Sequence, residues 1–442
     1  MSHHENTIRS GPTMTTTGTK TDSEDKMMSP RRVLVASSTL SNLGDGVQLA
    51  AIPLLALLAE NSALSTGVVV FARIVPAFIL AAPIGVLVDH FNRFLVAVAA
   101  NVIRIAALIL FSTLWLVDVD VALWHLVTLS VVLGGVEPLF ETAAGAAIPQ
   151  IVEDGRLHKY NSMISFVQTF ANGVIGPVIG AALFAISPHL PLLTNTGFLL
   201  AGSALLIPCI AKTPSPVASV SDSNEDSGKW RTRMLVGLGI IGRNPILAAL
   251  VLLTAGWNLI GWMPEGPLAY YVTEEVGASA TAYSWILATT SIGSLVGASL
   301  APLTRTSKAR MLVLVTGTPI YGAAFVLVHF SPNIWVTAFI FTVQGLPLML
   351  WSITATTLRQ RIVDNRYLGR VNVVFHSASI VLGPLGMALG STLAEITSAR
   401  LTFLVAGSAL CLLAVALTGW ALRPGAKAAR TREQIRVDLT DR

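Results

Sequence analysis

The stretch "GVLVDHFNRF", Gly85 to Phe94, ends one apolar run and begins the next, near 67–88 and 94–116. Each run is long enough to cross about 30 Å of hydrocarbon as a helix. Between them the chain turns in a few residues that include Asp89, His90, Asn92 and Arg93. So short a charged connection reads as a polar turn at a membrane surface.

Working outward, the chain shows twelve such runs: 33–58, 67–88, 94–116, 121–144, 162–187, 191–211, 245–272, 281–303, 311–330, 334–358, 371–394 and 400–422. Helix is the expected conformation for each, because lipid offers no partner to an unpaired backbone N–H or C=O. Composition agrees. Of 442 residues, 53% are hydrophobic and 12% charged, about half the charge a soluble chain carries. Cys209 and Cys411 lie far apart in apolar runs and suggest neither a disulfide framework nor a metal site.

The net charge of +5 does not mark a nucleic-acid partner. Of the 29 basic residues, all but Arg73, Arg104 and Arg400 fall in alternate connections and the two tails. With those connections on the cytoplasmic side, Glu60, Asp118, Asp120, Glu274 and Glu275 lie outside. This is the positive-inside pattern. It implies a multi-pass protein of the inner (cytoplasmic) membrane with both termini cytoplasmic.

The expected organisation is a disordered cytoplasmic tail over 1–32, a six-helix bundle over 33–211, a Ser-rich cytoplasmic linker over 212–244, a second six-helix bundle over 245–422 and a basic tail over 423–442. The halves resemble each other. "IPQIVEDGRLHKYNS" (148–162) stands beside "LRQRIVDNRYLGRVN" (358–372), and "GPVIGAAL" (176–183) beside "GPLGMALG" (383–390), at nearly one offset. Such duplication is common in membrane transporters, whose binding sites lie between the repeats near the midplane.

No nucleotide-binding, zinc-hydrolase or dinucleotide motif is present, so no enzyme activity, cofactor or metal is expected. The remaining clues are ionisable groups inside the runs, each costing about 2.5–3.5 kcal/mol at a helix centre. Asp45 lies about 18 Å into the first run and Arg104 about 15 Å into the third from the same side. Two readings stay open: a protonatable carboxylate near a binding site, or a structural ion pair. Glu137 and Glu141 share a face of the fourth run at i, i+4. Glu137 is a proton-site candidate with a structural alternative, and Glu141 is expected to pair with a loop arginine. Arg73 is expected to snorkel toward the surface. Glu265, in "GWMPEGP", is a further proton-site candidate. Trp257, Asn258, Trp262, Gln344, Trp351 and His376 fall in second-half runs and are candidates for an aromatic substrate cavity.

"GVLVDHFNRF" resembles motif A of the major facilitator superfamily: Gly85, Leu87, Asp89 and Arg93 match, and Phe94 departs at the final basic position. "GVIGPVIGAAL" (173–183) resembles the antiporter motif C. Gly176, Pro177 and Gly180 match, while Asn172 and Ala181 stand where glycines are usual. "LGDGVQLAAIPLLAL" (43–57), "IPQIVEDGRLHKYNS" and "GLGIIGRNPILAALVLL" (237–253) look like the drug:proton antiporter group of macrolide and siderophore exporters. The resemblance covers residues 33–422. It implies an all-α membrane protein with twelve transmembrane helices in two pseudo-symmetric bundles, acting as a monomer and exchanging a small amphipathic molecule for protons. Uptake on the same fold is the alternative, and a polytopic enzyme or sensor a more distant one.

Asp89 and Arg93 are expected on one helical face as a state-dependent latch. Asp89 would dock at the start of the eleventh helix near Arg370, and Arg93 would pair with Glu141.

Overall fold

A computed structural model describes residues 29–116, 121–153, 156–211 and 226–421. Among these every regular element is helical. The first half holds α1 (Pro30–Ala59), α2 (Ala63–Ile79), α3 (Ala81–His90), α4 (Arg93–Leu116), α5 (Leu123–Ile151), α6 (Leu157–Val167), α7 (Gly176–Ile186) and α8 (Leu190–Ile210). The second holds α9 (Asp226–Arg243), α10 (Pro245–Leu259), α11 (Leu268–Tyr270), α12 (Ala280–Leu300), α13 (Ser307–His329), α14 (Ile334–Ile362), α15 (Asn365–Ile396) and α16 (Ala399–Ala421).

Among the described residues, eleven helical segments are long and apolar enough to cross a membrane. The remaining expected span is divided into α2 and α3 at Leu80. Pro83 accounts for the break, since it has no N–H to give and its ring crowds the carbonyl of Ile79. Two other spans are irregular. Between α6 and α7, residues Gln168–Ile175 form a π-helix, whose wider turn accommodates the missing N–H of Pro177. After α10, "GWMPEGP" replaces α-helix with a 3₁₀ turn at Met263–Glu265.

Several boundaries differ from expectation. The tail expected to end at residue 32 gives way to α1 at Pro30, where proline is tolerated because the first-turn N–H needs no partner. The second part of the linker, from Asp226, is α9, which packs on α15 and α10. The terminal tails up to 28 and from 422, and linker residues 212–225, lie outside the described residues, as do Asp118 and Asp120. The eleventh span starts at Asn365, with the Asp364 side chain accepting from Arg366 N. Arg370 therefore sits within the helix, where no free N–H group awaits Asp89.

The halves repeat one packing scheme. α1 packs on α7 and α8, α2 on α5, and α4 on α8. In the same order, α10 packs on α15 and α16, α12 on α14, and α13 on α16. Close approach recurs where the sequence repeats. A Cβ on Gly46 or Gly176 would run into the opposing backbone of α7 or α1. Gly386 and Gly390 of α15 likewise face the carbonyls of Leu259 and Met263. Each GP-containing stretch thus supplies the smooth face that lets the fifth helix of its half lie against the first.

Charge is sorted unevenly between the helix ends. Glu60, Glu274, Glu275 and Glu395 lie at one end, here the acidic end, with Arg400 beside Glu275; Arg93, Lys308, Arg361, Arg366 and Arg370 lie at the other, the basic end, with Asp89 and Asp364. Hydrogen bonds cross between the halves at the acidic end. Ser62 Oγ and Leu64 N donate to Glu395 at 2.8 and 3.1 Å, and Asn61 Nδ2 to Glu274 at 3.3 Å. Thr66 Oγ1 donates to Gly266 O at 2.9 Å. Nearer the basic end, Gly85 has open space beside its Cα and Asp89 is exposed.

Candidate functional site

The polar groups inside the first half form a connected set. Asp45 of α1 and Arg104 of α4 make a fully buried ion pair. Arg104 Nη1 also donates to Ser41 Oγ at 3.1 Å and Asn101 Oδ1 at 3.3 Å. Gln48 Nε2 reaches Asp45 Oδ1 at 3.5 Å, and Gln48 Oε1 accepts from Asn195 Nδ2 at 2.9 Å. The set is incompletely satisfied: Asp45 Oδ2 and Arg104 Nε have no hydrogen-bond partner among the described residues. Burial so deep removes Asp45 from direct contact with a solute.

Glu137 and Glu141 do share one side of α5 and line a cavity of about 330 Å³ with Arg73 and Gly134. Arg73 does not snorkel. It pairs with Glu137 at 2.9 Å, which neutralises both inside the protein. Glu141 accepts from Asn42 Nδ2 at 3.1 Å and from Gln168 Nε2. The expected partnership of Glu141 with Arg93 is absent, because Arg93 Nη1 donates at 2.6 Å to Ala146 O, farther along α5. Among the described residues these embedded charges therefore cancel pairwise, Asp45 with Arg104 and Glu137 with Arg73. Glu141, among the described residues, is left with amide partners and no cation in direct contact, although Arg104 lies within electrostatic range.

Glu265 sits in the broken seventh span, and its carboxylate has no hydrogen bond or ion pair among the described residues. Tyr283 of α12 lies within electrostatic range of both Glu265 and Arg73. These groups from the two halves thus border one region.

The aromatic candidates divide. Trp257 is buried in the second-half core, stacked on Tyr321 at 4.1 Å and Trp351 at 5.2 Å between ring centroids. Its Nε1 donates to Thr318 Oγ1 at 2.8 Å. Gln344 is also buried, and Trp262 is partly exposed beside Gly383. Trp351 and His376 line a cavity of about 370 Å³ with Arg359, Asn372, Phe375 and Ser379. Asn258 Nδ2 donates to Ser379 Oγ at 3.2 Å. Arg359, Asn372 and Phe375 were not among the residues singled out from the sequence: Arg359 follows the 334–358 run, where an arginine normally marks only the cytoplasmic edge, and Asn372 and Phe375 stand at the start of the 371–394 run, where nothing in the pattern sets them apart.

Asp89 and Arg93 do not share a helical face. α3 ends at His90, Phe91 is extended, and Asn92 Oδ1 accepts from Phe94 N at 3.0 Å and Leu95 N at 3.2 Å. That cap restarts the helix in a new direction.

A family model described as Major Facilitator Superfamily matches residues 34–268 and 260–441. The chain is 26% identical over 388 residues to "Uncharacterized MFS-type transporter YfiS" of Bacillus subtilis (strain 168), covering 86% of this chain and 90% of that protein. It is 24% identical over 402 residues to "Multidrug efflux pump Tap" of Mycolicibacterium fortuitum, covering 87% and 94%. Its fold matches the crystal structure of a bacterial homologue of the iron transporter ferroportin in an inward-facing state. The TM-score is 0.69 at 18% identity, covering 89% of this chain and 99% of that one.

Proposed function

The chain belongs to the Major Facilitator Superfamily and is a membrane transporter rather than an enzyme; on that premise we propose that it exports small amphipathic molecules in exchange for protons. The observation that carries this reading is Glu141. It lines a cavity and is held by two amides, in a half whose other embedded charges are paired. A proton taken up there neutralises a charge that no adjacent cation balances. Release of the proton restores an acceptor for Asn42 and Gln168. Glu265, unpaired beside the interhalf contact Thr66–Gly266, is a second station on the opposite side of the region shared by the halves. The resemblance to a multidrug efflux pump supports the outward direction.

The two six-helix bundles, 33–211 and 245–422, rock about a central region in a monomer of the inner membrane. The basic end and both termini face the cytoplasm. Interhalf hydrogen bonds hold the acidic end together, and we take the basic end, where Asp89 is exposed, as the side that opens in this conformation. Asp89 is then a latch in its released state. On closure it meets the guanidinium groups at the start of α15, Arg366 and Arg370, in place of the helix terminus. A proton entering across about 100 mV supplies about 2.3 kcal/mol. At about 1.4 kcal/mol per tenfold, that sustains a gradient of about 45-fold for a neutral solute.

The test is accumulation of a panel of amphipathic antibiotics and dyes in an efflux-deficient host, with and without an uncoupler. The chain should lower accumulation of at least one compound, and the uncoupler should restore it. Export that persists at full rate with the uncoupler would rule out proton coupling.

A further inference from the structure

The cavity around Arg359 has chemistry of its own. Arg359 lies near the basic end of α14, with its guanidinium over the Phe375 ring at 4.4 Å from the centroid. Among the described residues it has no ion pair, and its buried Nε has no hydrogen-bond partner. Trp351, about 12 Å deeper along the same helix, is only 5% exposed, and its indole Nε1 is also without a partner. Asn372 is partly buried, with a buried Oδ1 that accepts nothing. Turning that amide over would bring its Nδ2 donors inward. No carboxylate lines this cavity.

Buried donors are normally satisfied, and each exception asks for a partner. Here the unsatisfied groups are mainly donors, one is cationic, and they flank aromatic faces. A guanidinium placed over a ring keeps N–H groups with which a carboxylate can engage two at once. Embedded cations of the first half are already spoken for: Arg104 by Asp45 and Arg73 by Glu137.

We propose that this cavity is a binding site for the carboxylate of an amphipathic aromatic acid, with Arg359 holding the carboxylate and Phe375 and Trp351 holding the ring system. The inference deepens the proposed export function, on which it rests, by naming the substrate class. It also changes the energetics. Export of a monoanion against one entering proton moves two charges through the potential instead of one. The same chemistry would suit an anionic lipid headgroup. A soluble acid is favoured because the unpaired Trp351 Nε1 lies well below the helix end, along a cavity that an acid with a planar body would fill.

The experiment uses the full chain in nanodiscs of phosphatidylcholine, with naphthalene-1-acetate and its uncharged amide titrated by calorimetry. The acid should bind about tenfold or more tightly than the amide, the range expected for a charge-assisted contact. Arg359→Gln should erase that preference, and an unfolding temperature in the nanodisc equal to that of wild type shows that the variant is folded. Equal affinity of wild type and Arg359→Gln for the acid would overturn the proposal. So would loss of the preference in nanodiscs containing phosphatidylglycerol, since a headgroup would then own the site. Binding is read without transport. Acid binding through Arg359 with no export of any compound would sink the export reading alone. Export by a protein with no preference for acids would sink this inference alone.

Discussion

Asp45 and Arg104 face each other from α1 and α4 as an ion pair from which water is excluded. Two charges taken out of water cost several kcal/mol each, and their attraction offsets this only while both are present. Asp45→Asn should therefore destabilise the protein by about 3–5 kcal/mol through the stranded guanidinium. The double variant Asp45→Asn/Arg104→Gln should be less damaged than either single one. Thermal unfolding in detergent measures this. Independent, additive losses would mean that the pair does not act as a unit.

A second expectation concerns the glycines of the two motifs. Gly176 abuts the backbone of Gly46, so Gly176→Ala must push α1 from α7 and should reduce folded yield. Gly85 has nothing within 4 Å of the Cβ it lacks. Gly85→Ala should leave stability unchanged or raise it by about 0.5–1 kcal/mol, the usual gain within a helix. If the basic end closes over this face, Gly85→Ala should nevertheless slow transport. Measured together, unfolding temperature and transport rate separate the two. A Gly85→Ala protein with normal transport would remove α3 from the closing surface.

Glu395 ties α2 to α15 through Ser62 and Leu64. These bonds are exposed, so about 1 kcal/mol is a fair value for their loss. Glu395→Ala should raise the population open at the acidic end about fivefold. Labelling of a Ser391→Cys variant, whose side chain is buried against Gly67 across the interface, should quicken correspondingly. An unchanged labelling rate would place the closing interaction elsewhere.

Much of the architecture was legible because the bilayer imposes it. Spans of fixed length, charge sorted to alternate ends and the repeated GP stretches all follow from lipid on the outside and close helix packing on the inside. What could not be read were contacts that depend on three-dimensional convergence. Depth alone brought Asp45 beside Arg104. It could not show that Arg73 would turn inward to Glu137, because the pair depends on α2 lying against α5 at Gly134, where there is no room for a Cβ. Arg93 was expected to reach Glu141. The Asn92 cap redirects α4, and the guanidinium meets the Ala146 carbonyl first. The helical start at Asn365 was masked by polar residues, since Asp364 supplies its own cap ahead of the apolar run.

The same limit explains the aromatic candidates. Trp257 and Trp351 are both long, apolar-run tryptophans in the sequence, yet one is locked to Thr318 in the core and the other borders a cavity. Trp257→Phe should therefore cost stability by leaving Thr318 without its donor, about 1 kcal/mol, with little change in solute affinity. A large affinity loss at normal stability would move Trp257 into the binding site.

The most direct test of proton exchange follows protons themselves. Everted vesicles are energised by respiration, and an acidity-sensitive dye reports their interior. A compound that the chain exports is then added. Wild type should let protons out of the vesicle lumen as the compound enters, and the dye should report partial collapse of the gradient. Glu141→Gln, at equal membrane level, should give no response. A full response from Glu141→Gln would contradict the assignment of the proton to Glu141, and export by wild type without any proton movement would contradict antiport itself.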